Sequence, residues 1–228
     1  MTAHRRPAHA PAPDLSSEDL LALRRQSPDY VPPPPAPVSW EEFLAWAPDD
    51  WRVEWVAGEI IEMPPSNIDD LDTSSFLLAF LLLYIQRHGL GRVFHAGALV
   101  KLAQKPSGRE PDLVFVRREN LDRIKPTWVD GPVDLAVEIV SPDSVTRDYR
   151  DKLAEYQAAG IPEYWIIDPR RSEARFYQLG DDGTYRLSII GEDGIYTSRV
   201  VEGFRLRVSW LWQRPLPTID EALADLDT

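Results

Sequence analysis

Residues 133–168 read VDLAVEIVSPDSVTRDYRDKLAEYQAAGIPEYWIID, and this stretch decides the architecture. Val133–Val140 is an apolar run bounded by Gly131-Pro132 and Ser141-Pro142, which predicts a buried strand. From Val145 to Ala159 the period becomes helical: Tyr149, Leu153 and Tyr156 stack at i, i+4 and i+7, and Gly160 supplies the stop. Pro162 then releases the chain into Glu163–Asp168, a second buried strand. A strand, a helix and a strand in succession predict a crossover joining parallel neighbours.

Working towards the N-terminus, Asp112–Arg117 and Arg92–Leu102 read as two further strands. Phe76–Ile85, apolar on nearly every face, predicts a buried helix with Asp72-Thr73-Ser74-Ser75 as its cap and Gly89 as its stop. Arg52–Val56 and Glu59–Met63 alternate around Ala57-Gly58 and predict a hairpin; Ser39 with Glu42 forms a capping box for a short helix. Towards the C-terminus, Ala174–Leu179 and Thr184–Ile190 form a hairpin through Asp181-Asp182-Gly183, with a further turn at Glu192-Asp193-Gly194. The expected class is α/β, a mixed central sheet flanked by helices, with an N-terminal hairpin and a C-terminal β extension. One domain spans 39–214, preceded by a mostly disordered Pro-rich extension (1–38, with a short polar-helical patch at Leu15–Arg25) and followed by a tail at 215–228.

Composition narrows the chemistry. The chain of 228 residues has no cysteine, which removes thiolate nucleophiles and Cys-ligated metals and fits a reducing, cytoplasmic setting. Its four histidines include no i,i+4 pair, so a metal here is expected to take oxygen ligands. The longest apolar stretch is too short to span a bilayer, and no signal peptide is read at the N-terminus. A net charge of −12 opposes a broad basic surface that coats nucleic acid, although carboxylates that hold cations add to the acidic count.

There is no Gly-X-Ser-X-Gly elbow, phosphate-binding Gly-Lys-Ser/Thr loop or dinucleotide fingerprint. The candidate site is therefore built from carboxylates and a lysine. Asp112 begins a strand after Pro111, and Glu138 interrupts an apolar strand in which an unpaired carboxylate is costly to bury. Neighbouring strands could join the two, with the Ile139 carbonyl, into the protein share of a Mg²⁺ site, and Mn²⁺ is the expected substitute. Lys152 on the following helix could stabilise charge developing on a phosphodiester, and Asp148 could pair with it. Taken singly, Asp112 is better explained as a strand start and Lys152 as a solvated helix residue; Glu54 reads as a cross-strand surface residue, and the eight tryptophans as packing.

Four blocks in order carry a resemblance: Arg109-Glu110-Pro111-Asp112-Leu113-Val114-Phe115-Val116, Asp134–Pro142, Asp148–Tyr156 and Ala159–Asp168, with the hairpin Glu54–Ile60 as a fifth. Together they resemble the Uma-type restriction endonucleases of the PD-(D/E)XK superfamily, from about Trp40 to Trp212. The resemblance implies an αβββαβ core, a Mg²⁺ site at Asp112 and Glu138, and a catalytic lysine moved from the second strand position after the acid, here Val140, to Lys152. It also implies an additional acidic site residue at Glu54 and an endonuclease acting on nucleic acid, DNA first. The resemblance also implies, as in many relatives, a histidine before the long helix, where this chain has Asp69, Asp70 and Asp72 instead. The alternative is a catalytically weakened nuclease-fold binding or regulatory module; a third reading is a homodimer joined through an exposed Trp210-Leu211-Trp212.

Overall fold

The computed structural model describes residues 15–226. A six-stranded sheet forms the centre of the molecule. Helix α1 (Ser17–Arg25) and helix α2 (Trp40–Trp46) precede the hairpin β1 (Val53–Val56) and β2 (Glu59–Glu62), and the long helix α3 (Ile68–His88) follows. Then come β3 (Gly91–His95), β4 (Leu99–Leu102), β5 (Ser107–Arg109), β6 (Leu113–Arg117), β7 (Trp128–Asp130) and β8 (Leu135–Ile139). A π-helical turn (Arg147–Lys152) runs into α4 (Leu153–Ala159), and β9 (Glu163–Asp168), β10 (Glu173–Leu179), β11 (Tyr185–Leu187), β12 (Ile195–Thr197), β13 (Arg205–Arg207) and α5 (Ile219–Leu226) complete the chain.

The central sheet has the order β11-β10-β9-β8-β6-β3. Strands β3, β6 and β8 are antiparallel neighbours, whereas β8 and β9 are parallel across the π turn and α4, so α3-β3-β6-β8-α4-β9 forms the expected αβββαβ core. Alternation sorts the side chains. Phe115, Leu135, Val137, Trp165 and Ile167 face α3 and the C-terminal elements, while Val114, Ala136, Val140, Tyr164 and Ile166 face Tyr156 and Ile161 on the other side. Burial of each large side chain such as Phe80, Leu81 or Trp165 contributes about 1.5–3 kcal/mol.

Several expected boundaries move. Helix α3 starts at Ile68, capped by Asn67, and not after Asp72–Ser75. The Ser and Thr residues that read as a cap bond backwards instead, Thr73 Oγ1 to the Asp69 carbonyl and Ser74 Oγ to that of Leu71, so the helix runs through them. The expected strand Arg92–Leu102 is two strands in different sheets, because the chain turns at Gly97, whose φ is 100°. A second sheet, β2-β1-β5-β4-β7, contains β5 and β7, three residues each and too short to show a period.

Residues 1–14 lie outside the described residues, but residues 15–38 of the Pro-rich extension make contacts with the domain. Helix α1 carries a capping box from Ser16 and Asp19, and its C-terminal end is tied down by Arg24 to Asp50 and Arg25 to Glu62. The Val31 and Pro32 carbonyls accept from Trp46 Nε1. At the other end, α5 packs on α3 with Ala222 and Leu223 buried, so residues 216–226 belong to the core. Trp210 and Leu211 are buried and Trp212 packs on the same core, which removes the exposed apolar run expected there. No helix among the described residues is long and apolar enough to cross a membrane.

Candidate active site

Strands β6 and β8 pair with Leu113 opposite Val137, which sets Asp112 across from Glu138 at the end of the ladder. Asp112 Oδ2 accepts the Ile139 N–H at 2.7 Å, and its Oδ1 lies 3.2 Å from Arg52. Glu138 shares its face with Ala136, Val140 and Tyr164 and is 3% exposed. A charge there needs partners. Its Oε1 takes the Tyr156 hydroxyl at 2.9 Å and Lys152 Nζ at 2.8 Å. Burial pushes its pKa up to about 8 against the pull of Lys152, with Asp148, Asp112 and Glu54 adding to the rise.

Lys152 ends the π turn and is 1% exposed. The widened turn matters because such bulges re-aim side chains and concentrate at functional sites. Burial alone would lower its pKa, but Glu138, Glu54 and Asp148 outweigh that and raise it, so it stays an ammonium. Glu54, expected on the surface, is completely buried: Oε1 lies 3.0 Å from Lys152 and accepts the Glu110 N–H at 3.2 Å, while Oε2 takes Arg109 at 2.7 Å. Burial by itself would raise its pKa; Lys152 and Arg109 overcome that and hold it at about 2. Asp148, the expected partner of Lys152, is 3.8 Å from it, and neither carboxylate oxygen has a hydrogen-bond partner although the residue is 1% exposed. Burial raises its pKa, with Lys152 opposing.

These groups surround a cavity of about 810 Å³ whose walls include Arg52, Asp70, His95, Asp112, Glu138, Ile139, Arg147, Asp148 and Lys152. Leu15, Ser16, Ser17 and Leu20 also line it, and the Ser17 hydroxyl donates to Asp143. The predicted residues Asp112, Glu138, Ile139 and Lys152 are thus brought together. Glu54 is not on the wall; it sits behind Lys152 and anchors it.

Sequence reasoning missed three supports. Arg109 bridges Glu54 and Glu155 at 2.7 Å, Arg52 bridges Glu110 at 2.6 Å and Asp112 at 3.2 Å, and Tyr156 donates to Glu138. Arg109-Glu110 directly precedes Pro111-Asp112, yet nothing local shows that both side chains turn inward. Asp70, from the segment without histidine, reaches the cavity from the first turn of α3, and its pKa rises to about 6, mainly through burial.

Among the described residues, no group of three or more His, Asp or Glu side chains is arranged to cage a metal alone. Mg²⁺ does not require a cage: it is usually held by one or two carboxylates, with water and substrate phosphate completing the shell. Asp112 and Glu138 across one ladder, facing a roomy cavity, match that donor set.

Comparison with known proteins bears on the fold and the family. A structure of similar fold is that of a putative nuclease belonging to DUF820 from Anabaena variabilis, at a TM-score of 0.64 and 16% identity, covering 77% of this chain and 98% of that one. The type IIG restriction endonuclease BpuSI aligns at a TM-score of 0.32 and 13% identity, over 67% of this chain and 17% of that one. No curated protein matches the chain in sequence. Residues 40–209 match the Uma2 family, described as putative restriction endonuclease. With that match running from α2 past β13 and enclosing every residue of the cluster just described, the chain belongs to the Uma2 family and has a restriction-endonuclease-like fold.

Proposed function

We propose that the protein is a divalent-metal-dependent endonuclease that hydrolyses phosphodiester bonds of nucleic acid, with DNA as substrate and Mg²⁺ as the natural ion, replaceable by Mn²⁺. One observation carries this reading: Asp112 just before β6, Glu138 on β8 and Lys152 at the end of the π turn meet on the wall of one cavity. The family's description as restriction endonucleases supports the choice of substrate.

A bound cation would draw charge from a phosphoryl oxygen and acidify a coordinated water. Asp112 and Glu138 would hold it, with the Ile139 carbonyl as a third donor. The Ile139 N–H fixes the Asp112 carboxylate, and the Tyr156 hydroxyl fixes that of Glu138. Lys152, kept charged by its carboxylate neighbours, is placed to stabilise negative charge developing on phosphorus oxygens. Glu54, locked between Lys152 and Arg109, serves as a positioning residue: it holds the ammonium beside Glu138 so that little reorganisation is needed.

The test is incubation of supercoiled plasmid and of single-stranded DNA with the full chain in Mg²⁺, Mn²⁺ or EDTA, alongside Asp112→Ala and Glu138→Ala. Metal-dependent cleavage by the native chain alone is expected. Equal cleavage by both variants would reject the site. A native chain that binds DNA and never cuts it would leave the weakened-module reading, which the net charge of −12 favours.

A further inference from the structure

Three cations line the cavity, Arg52, Arg147 and Lys152, and they are not equivalent. Arg52 is taken by Glu110 and Asp112, and Lys152 by Glu138 and Glu54. Arg147 makes no ion pair among the described residues, and its Nε is buried with no hydrogen-bond partner. A buried N–H without an acceptor is costly and rare in a native protein. Its two terminal Nη groups are not buried in this way and make no hydrogen bond among the described residues, so they stay open to a ligand in the cavity that Arg147 lines.

From this contrast we infer that Arg147 binds the non-bridging oxygens of a nucleic-acid backbone phosphate lying beside the carboxylate pair. The inference rests on the nuclease reading and deepens it by naming the residue that receives the substrate. Arg147 opens the π turn that Lys152 closes, so one local distortion of the backbone sends both cations to the same cavity, one committed to the carboxylates and one with donors to spare. Guanidinium chemistry suits the task. Its planar fork matches two phosphate oxygens at once, it stays charged at every working pH, and it sheds water more readily than an ammonium. In a chain of net charge −12, with Asp70, Asp112, Glu138 and Asp148 on the same cavity walls, a polyanion needs a cation that the protein has not already neutralised.

The competing role is charge balance, in which Arg147 merely offsets the nearby Asp148 and Glu54 without touching substrate. Arg147→Ala and Arg147→Lys in the full chain separate the two. Binding of a fluorescent DNA duplex would be followed by anisotropy over a salt series with Ca²⁺ in place of Mg²⁺, Mg²⁺ binding without DNA by calorimetry, and cleavage kinetics in Mg²⁺. Loss of a phosphate contact should weaken DNA binding about tenfold, raise KM more than it lowers kcat, and reduce the slope of log affinity against log salt by about one. Lys should restore part of the affinity, while Mg²⁺ affinity and the thermal midpoint of Arg147→Ala stay at native values.

Unchanged KM and salt slope in Arg147→Ala, with the native chain cleaving DNA, would overturn the inference and leave the nuclease reading standing. Altered Mg²⁺ affinity with unchanged DNA binding would overturn it in favour of charge balance. A native chain that neither binds nor cuts DNA in Mg²⁺ or Mn²⁺ would remove the nuclease reading and this inference with it.

Discussion

Glu138 and Glu163 stand on neighbouring parallel strands, each inside an apolar run, and are 3% and 0% exposed. Their surroundings differ in kind. Glu163 accepts from Trp165 Nε1 at 2.6 Å and the Tyr196 hydroxyl at 2.7 Å on one oxygen, and from the Arg199 and Val200 N–H groups at 2.7 and 3.2 Å on the other. All four donors are neutral, and Glu163 does not line the cavity that Glu138 faces. That set closes the site and staples the segment before β13 to the sheet. Glu138 is held by one hydroxyl and one ammonium, and beyond them is open space. A buried carboxylate is thus no signature of chemistry by itself; what matters is whether its partners saturate it.

The largest effects should separate these two residues. Asp112→Ala and Glu138→Ala are expected to lower metal-dependent plasmid nicking by about a thousandfold, whereas Glu163→Gln should stay within about twofold of native activity once folded. If Glu163→Gln were as inactive as Glu138→Ala at a temperature where it is folded, the distinction drawn here would collapse.

Stability should sort in the opposite sense. Lys152→Met leaves Glu54 and Glu138 without their shared cation and should cost about 3–5 kcal/mol in denaturant unfolding. Glu163→Gln should cost about 1–3 kcal/mol, because one pair of donors then faces an amide NH₂ in place of an oxygen. By contrast, Glu138→Gln should leave stability near native or raise it, since it removes one of several crowded acids.

The pH dependence sharpens the same contrast within the site. With its pKa raised to about 8, Glu138 binds a proton in the folded state that the unfolded chain releases near 4.5, so its contribution to stability is full at low pH and is lost as pH rises towards 8. Glu54, held at about 2, acts oppositely: its contribution is present above 4.5 and is lost as pH falls towards 2. Because a metal must displace the Glu138 proton, Mg²⁺ affinity should rise from pH 6 to pH 8 by up to about tenfold per unit, with proton release seen by calorimetry in buffers of different ionisation enthalpy. Affinity that is flat across this range would show that Glu138 is not a ligand.

The smallest effect belongs to the rim. Arg25 is exposed where it meets Glu62, so Arg25→Ala should cost less than about 1 kcal/mol by thermal unfolding, increasingly masked by salt.

The αβββαβ order was legible in the chain because the strand period, the helical stacking at Tyr149, Leu153 and Tyr156, and the turn residues at Gly131-Pro132 and Gly160-Ile161-Pro162 are all local. The carboxylate pair was legible too, since a Glu between Val137 and Ile139 demands a partner. What only the tertiary structure decided is how each charge is neutralised. That Glu54 lies behind Lys152, that Arg109 reaches Glu155, that Asp70 faces the cavity, and that Glu163 is stapled by donors over thirty residues away depend on contacts between distant segments. Even the π turn that aims Arg147 and Lys152 into one cavity is not written in the spacing of 147–152, where an ordinary helix fits the pattern equally well. Local periodicity sets which face of an element is apolar; the electrostatics of a buried charge are set by whatever the rest of the chain brings within a few ångströms of it.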